Sequence, residues 1–577
     1  MSSVYDELTL DILILGGGGA GLMAALHADA SDPSLKIGVA VKGTLGQSGC
    51  TRMVQGGYNA VLDPGDSLDK HFADTIQGGG YINDQKLAWN LVSDAPKLIA
   101  ELERRGCYFD RTADGRIYQK PFAGQSFDRT VNRGDLTGIE IMSRLKDSVL
   151  ATGVMPLDEH RALSLLTDGD GRVGGALLMD IRTGRFLAVN ATATLVATGG
   201  GARMYRVAAP SLEKAGDGMA MCYRVGCVMR DMEMYQFHPT GLVAGASVLT
   251  GSVLEEGLRG SGGLLTNANG ERFMERYDPE RMERSTRDLV SRAGYMEIRA
   301  GRGAEDGAIF LDVSHLGAEY VERSFPGMTD RCREVGFDLA REPVKVSPTS
   351  HFHMGGARID PSCRTNLDGL FVAGEDSGGV HGANRLGGNG VAESTVFGAR
   401  AGDAMAEYVR SASRAPISAN QVEAAVADAL KPVSGGGDED IYAIRSEIED
   451  LMWDKVGLVR DGAGMQSAIE ELDALAERHQ RAAVPELREY NLAWQEWLNV
   501  GSILTVARLT TVSALARDES RGSHYRSDYP APDESTPPYN VLMQKDGDSP
   551  RVWNEDVRLT KMQPDDLGGP HEQRTNE

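Results

Sequence analysis

An apolar run, LDILIL (Leu10 to Leu15), stops on four glycines and passes at once into AGLMAALHADA (Ala20 to Ala30), small and apolar residues with the spacing of a helix. This reads as strand, tight turn and helix. A second apolar run, KIGVAV (Lys36 to Val41), follows at the distance expected of a parallel βαβ unit. Gly16, Gly18 and Gly21 carry the GxGxxG spacing, which permits the turn, lets backbone approach a pyrophosphate and allows the helix to pack closely. The chain therefore begins as a nucleotide-binding α/β domain. The motif does not separate FAD from NAD. The acidic ribose ligand usual at the end of the second strand is missing, because VAVKG puts Lys42 there, so ribose recognition must come from elsewhere.

With 577 residues there is room for several domains at roughly 100–200 residues each. Two later apolar strands, ATLVATGGG (Ala193 to Gly201) and DGLFVAGE (Asp368 to Glu375), end on glycine or an acidic residue and are assigned to the first sheet. Between them, residues 237–346 are rich in Arg, Glu and His, which suggests an inserted domain. From about Asn420 the periodicity turns helical, as in AIEELDALAERHQRAA and VGSILTVARLTTVSALAR. The expected fold is an α/β FAD-binding Rossmann-type domain (1–236 and 347–412) with an inserted α+β capping domain (237–346), a C-terminal helical domain (420–520) and an extended tail (521–577).

The net charge of −23 argues against nucleic acid as a partner, since phosphate binding needs clustered cations. The six cysteines show no CxxC spacing, so neither a zinc site nor an iron–sulfur cluster is encoded, and free thiols are expected. The N-terminus shows no basic region followed by an apolar segment and cleavage site, and no run approaches 18 apolar residues. A cytoplasmic chain that meets a membrane only through partners is expected.

Four segments, QFHPTG (Gln236 to Gly241), EEGLRGSGG (Glu255 to Gly263), SPTSHFHMGG (Ser347 to Gly356) and HGANRLGGNG (His381 to Gly390), bring histidines and arginines into glycine-rich surroundings. Arginine forks and imidazoles bind carboxylates through charge-assisted hydrogen bonds, and glycines let backbone close over a small ligand, so a small anionic substrate is indicated.

These segments, with the dinucleotide motif at Gly16, DGRIYQKPFAGQS (Asp114 to Ser126), GERFMERY (Gly270 to Tyr277) and ESRGSHYRSDYP (Glu519 to Pro530), make the chain resemble the flavoprotein subunit of the succinate dehydrogenase/fumarate reductase family over nearly its whole length. The resemblance implies that Arg287, in STRDLV, exchanges a proton with the substrate carbon while flavin N5 exchanges the hydride. Glu256 and Arg259 would relay that proton towards solvent. His238, His351 and Arg385 would hold the two carboxylates of a small dicarboxylate, with Phe122 beside them. FAD would be held by Gly16, Gly18, Gly19, Ala20 and Gly21, by Lys42, by Ser48, Gly49, Cys50, Thr51, Gln55, Gly56 and Gly57, by Ala197, Thr198 and Gly199, and by Asp217, Glu375 and Arg385. An ordinary salt bridge from Arg287 to Asp288 or Glu283 is the structural alternative.

Physically, two clamped carboxylates orient the central C–C bond, and nearby cations stabilise the enolate-like charge that develops as hydride moves. An arginine acts as acid or base only with a neighbouring relay, since its pKa exceeds about 12.

Two positions depart from the family pattern. Most members that face a respiratory chain have a histidine before TxxxQGG, joined covalently to the flavin 8-methyl carbon. Cys50 stands there, so the expectation is non-covalent FAD with Cys50 a small packed residue; a thioether is the chemical alternative. Where the family usually has threonine before the relay glutamate, this chain has Glu255, and a carboxylate beside a dicarboxylate repels it unless protonated or turned away.

The leading expectation is the catalytic flavoprotein subunit of a succinate:quinone oxidoreductase, interconverting succinate and fumarate and passing electrons to an iron–sulfur subunit. Iron–sulfur and membrane-anchor partners would place it at the inner face of the cell membrane. L-Aspartate oxidase, a soluble FAD enzyme making iminoaspartate, is the alternative; RLGGN and the tail beyond HYRSDYP count against it. A domain binding FAD only as a structural element is disfavoured by the joint presence of Arg287, Glu256, His351 and Arg385.

Overall fold

The computed structural model describes residues 4–567 apart from 123 and 435. Strand β1 (Tyr5–Leu15), helix α1 (Gly19–Ser31) and strand β2 (Ile37–Ala40) form the parallel βαβ unit, with Leu15 opposite Ala40. Two glycines make the turn possible. Gly16 has φ +113° and a Cβ there would lie 2.1 Å from the Ala197 carbonyl oxygen; a Cβ on Gly21 would lie 1.9 Å from the Gly16 carbonyl oxygen. From Gly19 to Leu26 helix α1 is apolar on every side because it is covered on every side, with Leu22 to Ala25 fully buried.

The seven-stranded sheet runs in the order Met155–Leu157, β2, β1, Phe186–Val196, Val173–Asp180, His160–Thr167, and Leu370–Val372 also pairs with Phe186–Val196. Both later strands read from the sequence thus join the first sheet, in parallel register with Leu370 opposite Thr194. Their C-terminal ends and that of β1 lie together, the place where open α/β sheets bind ligands.

The chain leaves this unit along Tyr235–Leu242 and returns along Val344–His353, two paired antiparallel strands with His238 opposite Thr349. Ile309–Asp312 and Leu264–Thr266 complete a four-stranded sheet. Its face packs with short helices around a second apolar core that includes Leu258, Phe273, Leu311 and Val346. The crossing strands belong to both layers, so their side chains face the junction.

Helices Ala419–Ser434, Ile441–Lys455, Gly462–Arg481 and Leu492–Ala516 follow. Asp440, Asp461 and Asn491 cap the last three by accepting from Tyr442, Gly464 and Trp494 backbone N–H. Trp494, Val500 and Ile503 join the same core as Leu13 and Ile14. By length and composition Leu492–Ala516 could cross a membrane, with a mean hydropathy of 1.3 over its best window, yet 67% of that window is buried in the protein. It is the central helix of this layer, which explains its apolar character.

The segment after Ser520, read from the sequence as extended, includes a hairpin, Tyr539–Asp546 with Ser549–Asp556. It adds to Met229–Arg230 with Met229 opposite Met543, so this part of the extended chain is paired into a sheet. The end of the expected tail, 568–577, lies outside the described residues. Arg517, fully buried, ties helix end to sheet through Glu233 (2.6 Å), Glu519 (2.9 Å) and Asp231 (3.2 Å). A buried guanidinium tolerates such a place only when its donors are met by carboxylates.

Candidate active site

A cavity of about 680 Å³ runs from the glycine turn after β1 to the junction of the two sheets. Its first half is backbone-rich. Gly16 to Ala20 bring the N-terminus of α1 to the wall, where backbone N–H groups and the helix dipole favour a phosphate. Here Lys42 Nζ donates to Asp217 Oδ2 at 2.7 Å, and Arg161 Nη2 donates to Asp217 Oδ1 at 2.8 Å. Burial opposes ionisation of Asp217, but Arg161 and Lys42 hold it below the ordinary carboxylate range. Asp217, first residue of the helix Asp217–Arg224, thus brings a carboxylate to the same wall as Lys42.

Further along, Ser48 to Gly57, Ala197 to Gly199 and Glu375 line the cavity. Lys214 ion-pairs with Glu375 and contacts the Cys50 thiol. Burial lowers the Lys214 pKa, but Cys50 and Glu375 outweigh it and raise it, so Lys214 is held as the cation. Nothing lies within 4 Å of a Cβ built on Gly49, and a Cβ on Gly18 would meet only the Thr51 hydroxyl, at 3.7 Å. The helix terminus, the Asp217 carboxylate and this open glycine cradle fit an FAD.

The second half is charged. Arg287, first residue of the helix Arg287–Arg299, donates to Glu256 Oε2 from Nη2 (2.6 Å) and Nε (2.9 Å), and from Nη1 to Gln236 Oε1 (3.2 Å). Arg259 Nη2 donates to the other oxygen, Glu256 Oε1, at 3.1 Å. Burial pushes Glu256 up, but Arg287 and Arg259 overcome it and keep the group below its usual range. Behind them Arg259 Nη1 donates to the Glu283 carbonyl (2.5 Å), and the Glu283 carboxylate pairs with the half-exposed Arg272 (2.6 Å). A hydrogen-bonded row leads from the cavity wall towards the surface.

Arg385 donates from Nη2 to Gln236 Oε1 (3.0 Å) and lies over the Phe352 ring at 4.3 Å, while its Nε is buried without a partner. Burial, then Arg287, lowers it to about 9. Across the crossing strands the His238 and His351 rings touch edge to face, centroids 5.5 Å apart. Burial, reinforced by Arg287 on His238 and Arg385 on His351, keeps both well below the usual histidine range. The imidazoles are thus neutral, and the positive charge of the site belongs to its arginines. His238 Nδ1 accepts from Thr240 N–H at 3.3 Å, which puts its proton on Nε2.

Residues 11–391 match the family model for the FAD binding domain, and 445–568 match that for the fumarate reductase flavoprotein C-terminus. The chain is 44% identical over 534 residues to one of the subunits of the fumarate reductase (CoM/CoB) of Methanothermobacter marburgensis, covering 92% of this chain and 95% of that one. It is 34% identical to the fumarate reductase flavoprotein subunit of Haemophilus influenzae, over 97% of this chain and 96% of the relative. The solved E. coli quinol fumarate reductase superposes with a TM-score of 0.92 at 34% identity, covering 98% of this chain and all of that one (100%).

The chain belongs to the succinate dehydrogenase/fumarate reductase flavoprotein family. It shares that family's FAD-dependent oxidoreductase character and fold.

Of the residues this family assignment implies, Gly16, Gly18, Gly19, Ala20, Lys42, Phe122, His238, Glu256, Arg287, His351 and Arg385 all line the one cavity. Two stand behind it. Gly21 packs on the Gly16 carbonyl, and Arg259, 1% exposed, touches the cavity only through Glu256. Neither Asp288 nor Glu283 pairs with Arg287; Asp288 accepts from Asn384 (2.9 Å) and Glu283 pairs with Arg272. Sequence reasoning did not assign Lys214, Gln236, Arg331 or Phe352. Gln236 and Phe352 sit inside the segments QFHPTG and SHFH, where the histidines carry the stronger chemical signal.

Proposed function

We propose that this protein is the catalytic flavoprotein subunit of a fumarate/succinate oxidoreductase, binding a C4 dicarboxylate between the crossing strands. The Arg287–Glu256–Arg259 row on the wall of the cofactor cavity carries this reading. Arg385 holds one substrate carboxylate by charge, and neutral His351 and His238 add N–H donors without adding cations. Arg287 holds or gives up a proton at its guanidinium nitrogens, and Glu256, bonded to Arg287 at Oε2 and to Arg259 at Oε1, passes it outward along the row towards the surface. FAD, when bound, supplies hydride exchange. Gly16 to Ala20, Lys42 with Asp217, Ser48 to Gly57 and Glu375 would hold it. It is held non-covalently, because position 50 offers no histidine.

Electrons pass to an iron–sulfur subunit, and a membrane anchor ties the complex to the inner face of the cell membrane with a quinone as partner. A second reading of the electron carrier has support. The 44%-identical relative is named for CoM/CoB and not for a quinone, and the histidine of respiratory members is absent at Cys50. Dye-linked oxidation of succinate and reduction of fumarate, beside peroxide formation from L-aspartate, tests the substrate. Turnover of L-aspartate alone would remove the reading. Subunits that copurify from the native source, assayed with quinol and with CoM/CoB thiols, decide the carrier.

A further inference from the structure

Two consecutive carboxylates stand at this cavity and are treated differently. Glu256 is gripped by Arg287 and Arg259. Glu255, 5% exposed, lines the same cavity. Among the described residues its one ion-pair partner is Lys120, whose Nζ is 3.4 Å from Oε2. That is the loose end of the hydrogen-bonding range. Lys120 does not line the cavity; it stands behind Glu255 on the short strand Gln119–Lys120 and lies 5.6 Å from the centroid of Phe122, which does. Glu255 therefore lines the cavity backed by one weak cation. Its backbone precedes the first turn of Glu256–Gly260 in an extended conformation, with ψ 154°.

We propose that Glu255 is a specificity-determining residue of this site, its carboxyl in the acid form donating a hydrogen bond to one carboxylate of the C4 dicarboxylate, with Lys120 the positioning residue that fixes it. The inference rests on the dicarboxylate reading above. An ionised Glu255 would repel that substrate, whereas an O–H···O⁻ bond is short and strong. The surroundings favour the acid form. Burial pushes Glu255 up, Lys120 opposes this, and Asp135 and Glu256 add repulsion of the same sign. Arg331, on the same cavity wall, is influenced by Asp135 and donates to the Val253 carbonyl (2.8 Å). Adjacent carboxyl groups pushed apart in this way divide acid and base duties: Glu256 takes the charged role and Glu255 the neutral one.

The test uses FAD-loaded protein, measuring the KM for succinate or fumarate and the Kd of malonate, read from the flavin spectrum, between about pH 6 and 9. Both constants should rise towards high pH as Glu255 ionises. In Glu255→Gln, whose amide donates at every pH, that rise should shrink to what Arg385, lowered to about 9, contributes at the alkaline end. In Glu255→Ala, KM and the malonate Kd should be raised roughly tenfold at neutral pH, the cost of an unpaired buried partner, with the loss falling on KM more than on kcat. Lys120→Met should move the alkaline rise to higher pH, because removing the cation tightens the proton on Glu255. A Glu255→Gln profile that matches the wild type, or a malonate Kd unmoved in Glu255→Ala, would overturn the inference. If Glu255→Ala does not fold, the Glu255→Gln profile still decides. Tighter L-aspartate binding at high pH would instead assign an ionised Glu255 to an ammonium group. Wild-type protein that binds neither succinate, fumarate nor malonate would overturn the dicarboxylate reading itself, an outcome distinct from variants that bind but do not respond.

Discussion

Arg287 reaches Glu256 with two N–H donors, Nη2 at 2.6 Å and Nε at 2.9 Å, and both end on the same oxygen, Oε2. The guanidinium is therefore oriented from one side, and only Nη1 is spent elsewhere, on Gln236 at 3.2 Å. Lysine keeps the charge but not this fork. Arg287→Lys and Arg287→Gln should lower kcat with succinate or fumarate by about 10²–10⁴-fold, the usual worth of a positioned acid–base group. FAD content and the malonate Kd should change only a few-fold, since Arg385 and the histidines carry the clamp. Near-normal dye-linked succinate oxidation by either variant would remove Arg287 from proton transfer.

The same pair leaves no room at Gly387. A methyl group there would lie 2.7 Å from Phe122 Cδ2 and 2.9 Å from both Arg287 Nη2 and Glu256 Oε2. The loop cannot retreat easily, because the Gly387 carbonyl accepts from Asn59 Nδ2 at 2.7 Å and from Gln125 Nε2 at 3.0 Å. Gly387→Ala should thus displace Arg287 and cost about 10²-fold in kcat, the scale set by misplacing a reacting group by an ångström. FAD occupancy, read as the flavin-to-protein absorbance ratio, should stay that of the wild type. Unimpaired turnover would mean that the Arg287–Glu256 geometry is not needed for the chemistry.

Cys50 sits in the glycine-rich wall of the cofactor cavity with Lys214 beside its sulfur and Glu375 on the far side of Lys214. With no histidine at that place, acid or heat precipitation should release all of the flavin into the supernatant as yellow colour. Cys50→Ser should behave in the same way. Flavin retained in the wild-type pellet and released from Cys50→Ser would demonstrate a thioether instead.

What could be read from the sequence was what the chain encodes locally. The β1–α1–β2 unit is announced by an apolar run, glycines and a helix within about thirty residues, and its parallel pairing is the one expected. Lys42 is visible, but its partner Asp217 is 175 residues away, and no local rule joins the two. His238 and His351 both stand out in their segments, yet only the pairing of the crossing strands brings their rings together. Their neutral state also lies outside the sequence, because it follows from burial beside Arg287 and Arg385 and not from residue type. The hairpin 539–556 did leave a local signal: Gly547-Asp548 stands as a two-residue turn between two runs of strand-forming residues, a short-range hairpin cue. The Pro- and Asp-rich composition around it suggested an extended chain and masked that cue.

Asp376 offers a test of the fold's own electrostatics. It is fully buried next to the cofactor wall, where its Oδ2 accepts from Gly199 N–H (2.7 Å) and its Oδ1 from the Thr198 hydroxyl (3.1 Å). Burial, which those hydrogen bonds only partly offset, pushes its pKa from 3.8 up to about 7. The folded protein therefore keeps a proton on Asp376 through a range of pH in which the unfolded chain has lost it. Stability from this group is fully present below the unfolded value and is lost as pH rises through about 7. At 1.36 kcal/mol per unit, the three-unit shift makes the full loss about 4 kcal/mol. Asp376→Asn keeps the shape and removes the titration. The melting temperature of FAD-saturated variant minus that of wild type should accordingly become more positive between about pH 5 and pH 8. A difference that stays flat over that range would show that Asp376 titrates alike in the folded and unfolded chains.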